Sequence, residues 1–388
     1  MSGIRYTAAK TSRIKKKPLI PSVKKMQQDL KKILPARAQY LKNLNQKSES
    51  KPTKSPEKLV VTDYNVELDY QLGKNDDIVT AVDTILQNQW SESTKLHSRY
   101  EVEPGTMEQM VFLLKGLSSK SKADIMKFRK NLSLELITVA QLYSIFQHQG
   151  NTFVDKNLEI KIRQGKLRKF IITNASPVIL RSLQKYQSGK ITYGFENVEI
   201  ISKTEDYYRL ITKQITTVEQ GLQSSDLSVH ETEKKRLQLS SLTKFYEFVL
   251  QNPTSLFIDT SGSMSHQELS ELLTFGFVTL TSNHLQEIEC HQYSISYPGC
   301  GSFLKLINAG RVWLVKYLTK AKYNEVLEDK MFDHWEGLTI QGTNKMNNFR
   351  APFYGYDLNW LLADSLGAGI IDVFNTPVGR GWRLTGKV

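Results

Sequence analysis

The 388-residue sequence repeats one local pattern three times, and this pattern restricts the possible folds more than any other feature. Each copy is a helix with an apolar stripe that ends at a glycine and is followed at once by a strand. The three glycines are Gly165, Gly276 and Gly369, which lie 111 and 93 residues apart. A glycine suits this position because the residue that ends a helix often adopts a left-handed conformation, which costs glycine nothing.

A second strand follows each helix–glycine–strand pattern, so each copy ends in a β-hairpin. The predicted helices are residues 154–164, 266–275 and 357–366, the strands after them are 166–173, 277–281 and 370–374, and the returning strands are 198–203, 292–297 and 382–385. Helices followed by a hairpin, in units of this length, are typical of winged helix-turn-helix domains. We therefore predict an α+β, mainly helical chain with three tandem winged-helix domains, at residues 105–210, 211–300 and 301–388.

The pattern makes two further local predictions, one on a helix interruption and one on a helix cap. Residues 303–334 are long for one helix, and we expect a break or a pair of helices, with residues 308–310 as the weak point. Ser265 precedes the helix at His266, and Glu268 follows three residues later, which is the spacing of a capping box.

The positive charge of the chain is concentrated at its start. The sequence has 52 Lys and Arg against 39 Asp and Glu, a net charge of +13. Residues 1–58 hold 16 of the basic residues and three acidic ones, so they account for the whole excess. A segment with high net charge and few apolar residues predicts a disordered arm. Residues 59–104 are acidic, and we expect them to be a connector that folds back on basic neighbours.

Two basic clusters in the arm resemble a bipartite nuclear import signal. Their residues are Arg13, Lys15, Lys16, Lys17, Lys24 and Lys25. The same clusters could instead contact DNA loosely or simply keep the chain soluble. We predict a nuclear protein on this basis.

Two acid-free blocks in the remainder of the chain are candidates for contact with phosphates. The first contains Lys161, Arg163, Lys166, Arg168 and Lys169, and the second contains Lys305, Arg311, Lys316, Lys320 and Lys322. Arg350, Arg380 and Arg383 add charge near the end of the chain. We predict that these thirteen side chains bind double-stranded DNA, with ordinary solvated faces as the alternative.

Other functions find little support. The string LFIDTSGSMS resembles a metal-ion-dependent adhesion site in which Asp259, Ser261 and Ser263 would bind Mg²⁺. The rest of that fold is missing, so we favour a helix cap and predict neither a metal nor a cofactor.

His284, Cys290, His291 and Cys300 match no common zinc spacing. The motifs of protein kinases are absent, and apolar runs fall far short of the roughly 18 residues that a membrane span needs.

The order of several segments is similar to the family historically called serine/threonine-protein kinase 19, in a divergent, fungal-type form. The clearest are PGCGSFLK (298–305), KAKYNEVL (320–327) and YDLNWLLADSLGAGIIDVFNTPVGRGWRL (356–384), with weaker likeness at 154–172, 198–207 and 271–280. The resemblance implies three winged-helix domains and a nuclear double-stranded-DNA-binding protein. It places family DNA contacts at Lys305, Arg311, Lys320, Lys322 and Arg350. Residues 337–349 lengthen the approach to Arg350, which is a departure from the family pattern.

The resemblance also implies a role in transcription-coupled nucleotide excision repair. In that role the protein would be a non-enzymatic adaptor between stalled RNA polymerase II, a Cockayne-syndrome-type ubiquitin ligase subunit and TFIIH. A protein-interaction scaffold without DNA binding, and a serine/threonine kinase as the family name suggests, stay open as alternatives. The sequence leaves the oligomeric state, including a homodimer, undecided.

Overall fold

The computed structural model of the protein describes residues 68–73, 77–97, 99–100, 102–132, 135–179, 193–223, 228–259, 264–280 and 292–385. The chain divides into two units, residues 1–62 and 63–388, and all described residues belong to the second. The predicted arm and its import clusters therefore lie outside the described residues, as do Ser261 and Ser263. Within the described ranges, no helix combines the length and the apolar character needed to cross a bilayer.

The described chain is mainly helical, as predicted, and its strands form three small sheets. The first third contains helices α1 (Ile78–Gln87), α2 (Met107–Leu113) and α3 (Ser119–Lys130), then β1 (Ile137–Thr138), α4 (Val139–Ile145), α5 (Asn151–Arg163), β2 (Leu167–Ile179), β3 (Tyr193–Lys203) and α6 (Thr204–Leu222). The middle contains α7 (Val229–Gln251), β4 (Phe257–Asp259), α8 (His266–Phe275), β5 (Val278–Leu280) and β6 (Gln292–Ile295). The last third contains α9 (Cys300–Lys320), β7 (Glu325–Leu327), α10 (Glu328–Glu336), α11 (Leu358–Gly367), β8 (Ile371–Thr376) and β9 (Gly379–Leu384).

The three sheets share one antiparallel topology. In each sheet a short first strand pairs with the second strand of the hairpin, which gives the orders β1-β3-β2, β4-β6-β5 and β7-β9-β8. Gly165, Gly276 and Gly369 all have positive φ angles, between 70° and 82°, at the junction of helix and hairpin. The predicted helix–glycine–hairpin repeat is therefore confirmed, while its assignment as a winged helix stays a prediction.

The predicted break in the third unit is wrong in position. Helix α9 continues through Asn308 and Gly310 and ends at Lys320, and β7 then separates it from α10. Gly310 has a packing role, since a Cβ atom there would lie 2.4 Å from Cδ2 of Leu361 on α11. A glycine inside a helix can thus mark close contact with a neighbour instead of a break.

One continuous hydrophobic core joins the three repeats, from Tyr70 to Trp382. Helices α4 and α11 approach each other especially closely within it. A Cβ atom on Gly367 of α11 would lie 1.8 Å from the carbonyl oxygen of Ala140 on α4. Because the nearest atom is backbone, no side-chain rotation could make room for it.

The described part of the acidic connector is built into this core. Ile78, Val82 and Ile85 on α1 are buried, as expected for an amphipathic helix. Asp77 pairs with Lys161 at 2.7 Å, and Asp83 pairs with Lys203 at 2.7 Å. The prediction that this acidic segment folds back on basic neighbours is thus confirmed for these two residues.

The contact between α4 and α11 predicts a large effect of a single methyl group. Gly367→Ala should lower the free energy of unfolding by about 1–3 kcal/mol, because the backbone must shift to make room for the new methyl group. The measurement is denaturant-induced unfolding followed by circular dichroism. Gly301→Ala on α9 is the matched control, since its new Cβ would meet nothing within 4 Å. Equal unfolding midpoints for the two variants would contradict the close contact.

Candidate functional site

The thirteen basic residues predicted to bind DNA fall into three groups by burial and partner. Two, Arg168 and Arg311, make structural interactions in or beside the core, five others are paired with more exposed carboxylates, and six are exposed without an ion-pair partner in the described part of the chain. The two acid-free blocks of the sequence therefore do not form two equivalent surfaces.

Arg311 holds the core together and is not placed for phosphate contact, which corrects its predicted role. Its Nε atom donates to Oδ2 of Asp364 at 2.6 Å, and Nη2 donates to Oδ1 at 3.0 Å. Asp364 is fully buried, and its Oδ1 also accepts a 2.7 Å hydrogen bond from the Thr138 hydroxyl. The interaction thus connects α9, α11 and the start of α4.

Arg168 is also structural, and its predicted DNA contact is likewise corrected. The residue is 1% exposed, and its guanidinium donates to the carbonyl oxygens of Pro253 and Ser255 at 3.3 and 3.1 Å. The guanidinium lies 5.5 Å from the centre of the Tyr207 ring, and burial lowers its pKa from the usual value. Arg168 therefore fixes β2 to the segment that precedes β4.

Five further candidates already have acidic partners at 2.6–3.3 Å. The pairs are Lys161–Asp77, Arg163–Glu159, Lys169–Glu199, Arg380–Glu328 and Arg383–Asp372. Ion pairs near the protein surface, such as these, contribute little to the free energy of unfolding. They nevertheless weaken attraction to an external phosphate, because the phosphate must compete with a carboxylate.

The six remaining side chains are exposed and make no ion pair with a described residue. They are Lys166, Lys305, Lys316, Lys320, Lys322 and Arg350. Lys166 lies in the first repeat, and the other five lie in the third. Among the thirteen candidates, most of those without an acidic partner in the described part of the chain therefore lie in the third repeat.

Three of these lysines form a line along one face of α9. At 3.6 residues per turn, Lys316 and Lys320 lie about 20° and 60° around the helix from Lys305. With a rise of 1.5 Å per residue, the line from Lys305 to Lys320 is about 22 Å long. We call Lys305, Lys316 and Lys320 the lysine stripe. Arg311 lies about 120° from Lys305 in the other direction, which explains why it faces the core.

Sequence reasoning missed an aromatic cluster beside the lysine stripe. Trp313 and Tyr317 of α9 stack with ring centres 5.3 Å apart, and Tyr317 stacks on His334 of α10 at 4.4 Å. The sequence did contain one sign of this cluster, because side chains four residues apart on a helix, such as Trp313 and Tyr317, are neighbours. The position of His334 was not predictable, because it depends on how α10 packs against α9.

The positive charge of the lysine stripe also acts on a residue of the aromatic cluster. Burial, and next the positive charge of Lys320, lower the pKa of His334 below its usual value. Both effects favour the neutral imidazole, whose ring can stack without a second positive charge beside Lys320.

An open groove adjoins the cluster. We call it the aromatic groove; it has a volume of about 460 Å³, and its lining includes Trp313, His334, Lys345, Asn347 and Phe353. Its walls thus combine aromatic rings and the apolar side chains of Leu338, Ala351 and Pro352 with one lysine and one amide. This combination suits a planar, polar ligand more than a purely apolar one.

The competing metal site near Asp259 is not tested. The side chain of Asp259, with Ser261 and Ser263, lies outside the described residues. His284, Cys290 and His291 are also outside them. The cap at Ser265 is confirmed, since its hydroxyl accepts from the Glu268 amide while the Glu268 carboxylate accepts from the Ser265 amide. Among the described residues, no group of three or more His, Cys, Asp or Glu could hold a metal ion.

The two faces of α9 predict very different effects of mutation on stability. Arg311→Ala should cost about 3–5 kcal/mol of unfolding free energy, because it leaves the buried Asp364 carboxylate without its counterion. Lys316→Ala on the exposed face should change it by less than about 0.5 kcal/mol. Chemical denaturation of both variants measures the difference. An Arg311→Ala variant as stable as Lys316→Ala would show that the buried pair is not structural.

Comparison with known proteins places this architecture in a family. Residues 106–384 match a family model described as inactive serine-threonine protein kinase 19. The chain is also 28% identical over 144 residues to a protein called serine/threonine-protein kinase mug51 from Schizosaccharomyces pombe. This second match covers 37% of the chain and 42% of the relative. The family match covers most of the chain and its three repeats, so the chain belongs to the family of inactive serine-threonine protein kinase 19.

Proposed function

We propose that this protein is a non-enzymatic nuclear adaptor that binds double-stranded DNA through its third repeat. The observation that carries the proposal is the lysine stripe, a line of exposed lysines about 22 Å long. Within the described residues, no carboxylate pairs with it. A linear polyanion is the ligand that neutralises such a line at several points together.

The contact is expected to depend on the DNA backbone more than on the base sequence. Lysine binds phosphate as a point charge, whereas bidentate Arg, Asn and Gln read base edges. With Lys322 and Arg350 added to the stripe, up to five phosphates would be neutralised. The logarithm of the association constant should then fall with the logarithm of the salt concentration at a slope of about −4 to −5.

A non-enzymatic role agrees with the family description as inactive. The sequence contains neither the glycine-rich loop nor the catalytic-loop motif that phosphoryl transfer by kinases requires. The relative from Schizosaccharomyces pombe nevertheless carries a kinase name. Release of phosphate from ATP by the purified chain, above a control without protein, would favour that alternative.

The adaptor role extends the proposal to transcription-coupled nucleotide excision repair. Its support is the family resemblance, which implies contacts with stalled RNA polymerase II, a Cockayne-syndrome-type ubiquitin ligase subunit and TFIIH. A scaffold that binds only proteins is the second candidate, and one observation favours it. Ile340 is fully exposed and Leu338 is 43% exposed, on one loop of the third repeat. Exposed apolar side chains of this kind suit a protein contact.

Charge reversal on the stripe separates these two candidates. Lys316→Glu/Lys320→Glu should weaken binding to a fluorescent blunt duplex about tenfold or more and reduce the salt slope by about 2. Fluorescence anisotropy between 50 and 200 mM salt measures both quantities. Lys213→Glu/Lys234→Glu makes the same charge change at exposed lysines of α6 and α7 and should retain the wild-type slope. No measurable binding of the duplex by the wild-type chain would favour the scaffold, and equal binding by both double variants would contradict the lysine stripe as the DNA contact.

Nuclear import by the basic arm is tested separately. Replacing Arg13, Lys15, Lys16, Lys17, Lys24 and Lys25 with alanine in a fluorescent fusion should move the protein from the nucleus to the cytoplasm. A fusion carrying the same number of alanines at Lys31, Lys32, Arg37, Lys42, Lys47 and Lys51 is the control for loss of charge. Nuclear accumulation of both fusions would contradict the assignment of these two clusters.

A further inference from the structure

We propose that the aromatic groove binds an unpaired nucleobase of a DNA strand whose phosphates follow the lysine stripe. The inference rests on the proposed function for its phosphate contacts and adds a separate site. It assigns the third repeat to junctions between duplex and single strand, because only there does a free base lie next to a duplex.

The aromatic cluster is preformed for stacking. Trp313 is half-buried, stacks on Tyr317 and meets the buried Trp335 edge-on at 4.7 Å. Trp335 in turn lies 4.1 Å from the ring centre of Phe353. Rings fixed in this way lose little conformational freedom when a ligand binds, so stacking energy is retained as affinity.

The cluster lies where a strand on the stripe would reach it. Trp313 lies about 80° around α9 from Lys305 and about 20° from Lys320, so it borders the stripe directly. Lys320 acts on the His334 ring, and Lys345 lines the groove as well. Positive charges thus lie near the groove, where they can contact a phosphate attached to a stacked base.

The groove composition selects a base over other ligands. A phosphate alone would make no use of the aromatic side chains that line the groove, and an apolar peptide would leave Lys345 without a partner. A base within a duplex is covered on both faces by its neighbours, so it offers no face for stacking. An unpaired base supplies an aromatic face, polar edges for Asn347 and an attached phosphate. The cavity of about 460 Å³ is open to such a heterocycle.

The test compares three DNAs with matched duplex regions. One is blunt, one has a four-nucleotide single-stranded overhang, and one has the same overhang built from abasic nucleotides. The two overhangs carry equal charge, so any difference between them reports contact with bases. Because stacking of one base contributes about 1–3 kcal/mol, the base-bearing overhang should bind about 5- to 150-fold more tightly than the abasic one.

Variants then assign the preference to the groove. Trp313→Ala should remove it, Trp313→Phe should retain most of it, and Phe112→Ala should leave it unchanged. Phe112 is 61% exposed and does not line the groove, so it controls for loss of an exposed ring. Quenching of tryptophan emission by the base-bearing overhang is a second measurement, since Trp90, Trp335, Trp360 and Trp382 are buried.

The outcomes separate the inference from the proposed function. Tight binding of all three DNAs without a preference between the overhangs would overturn the inference and leave the duplex proposal standing. Preference for the base-bearing overhang without affinity for the blunt duplex would support the groove and contradict the duplex proposal. A preference that persists in both Trp313 variants, with unchanged quenching, would also overturn the inference.

Discussion

The buried carboxylate of Asp364 is the interaction on which the arrangement of the repeats depends. It lies on α11, accepts two hydrogen bonds from Arg311 of α9, and accepts a third from Thr138 at the start of α4. A charge without solvent access is tolerated only when its partners are in place. Correct positions of α4, α9 and α11 are therefore required together, and the first and third repeats are coupled through one side chain.

This coupling also determines what α9 presents to solvent. Arg311 directs one side of the helix to Asp364, and Gly310 allows close contact with Leu361 on the same helix, α11. The lysine stripe and Trp313 then necessarily lie on the outer side. Two basic residues five positions apart, Arg311 and Lys316, thus lie in different environments because the helix turns them to different sides.

The sequence predicted the repeated elements well because their signals are local. A glycine at the end of a helix and a capping box at Ser265 each depend on a few neighbouring residues. The site was predicted less well, since net charge does not show where a carboxylate folds back. Arg168 and Arg311 belong to acid-free blocks of sequence, yet their partners are carbonyl groups near Ser255 and the distant Asp364. The stacking of His334 on Tyr317 likewise depends on the contact between two helices.

The acidic segment before the first repeat gives the surface a second property. Asp77 and Asp83 are bound to Lys161 and Lys203, so the chain supplies its own counterions to that region. An external polyanion that binds there must first displace a carboxylate that the fold holds beside the lysine. Its net binding free energy is therefore smaller than at an unpaired lysine. On the proposed function, lowering the salt concentration therefore strengthens binding at the lysine stripe more than at Lys161 or Lys203. The two tethered carboxylates thus act as built-in competitors that reduce the number of places where a polyanion can bind.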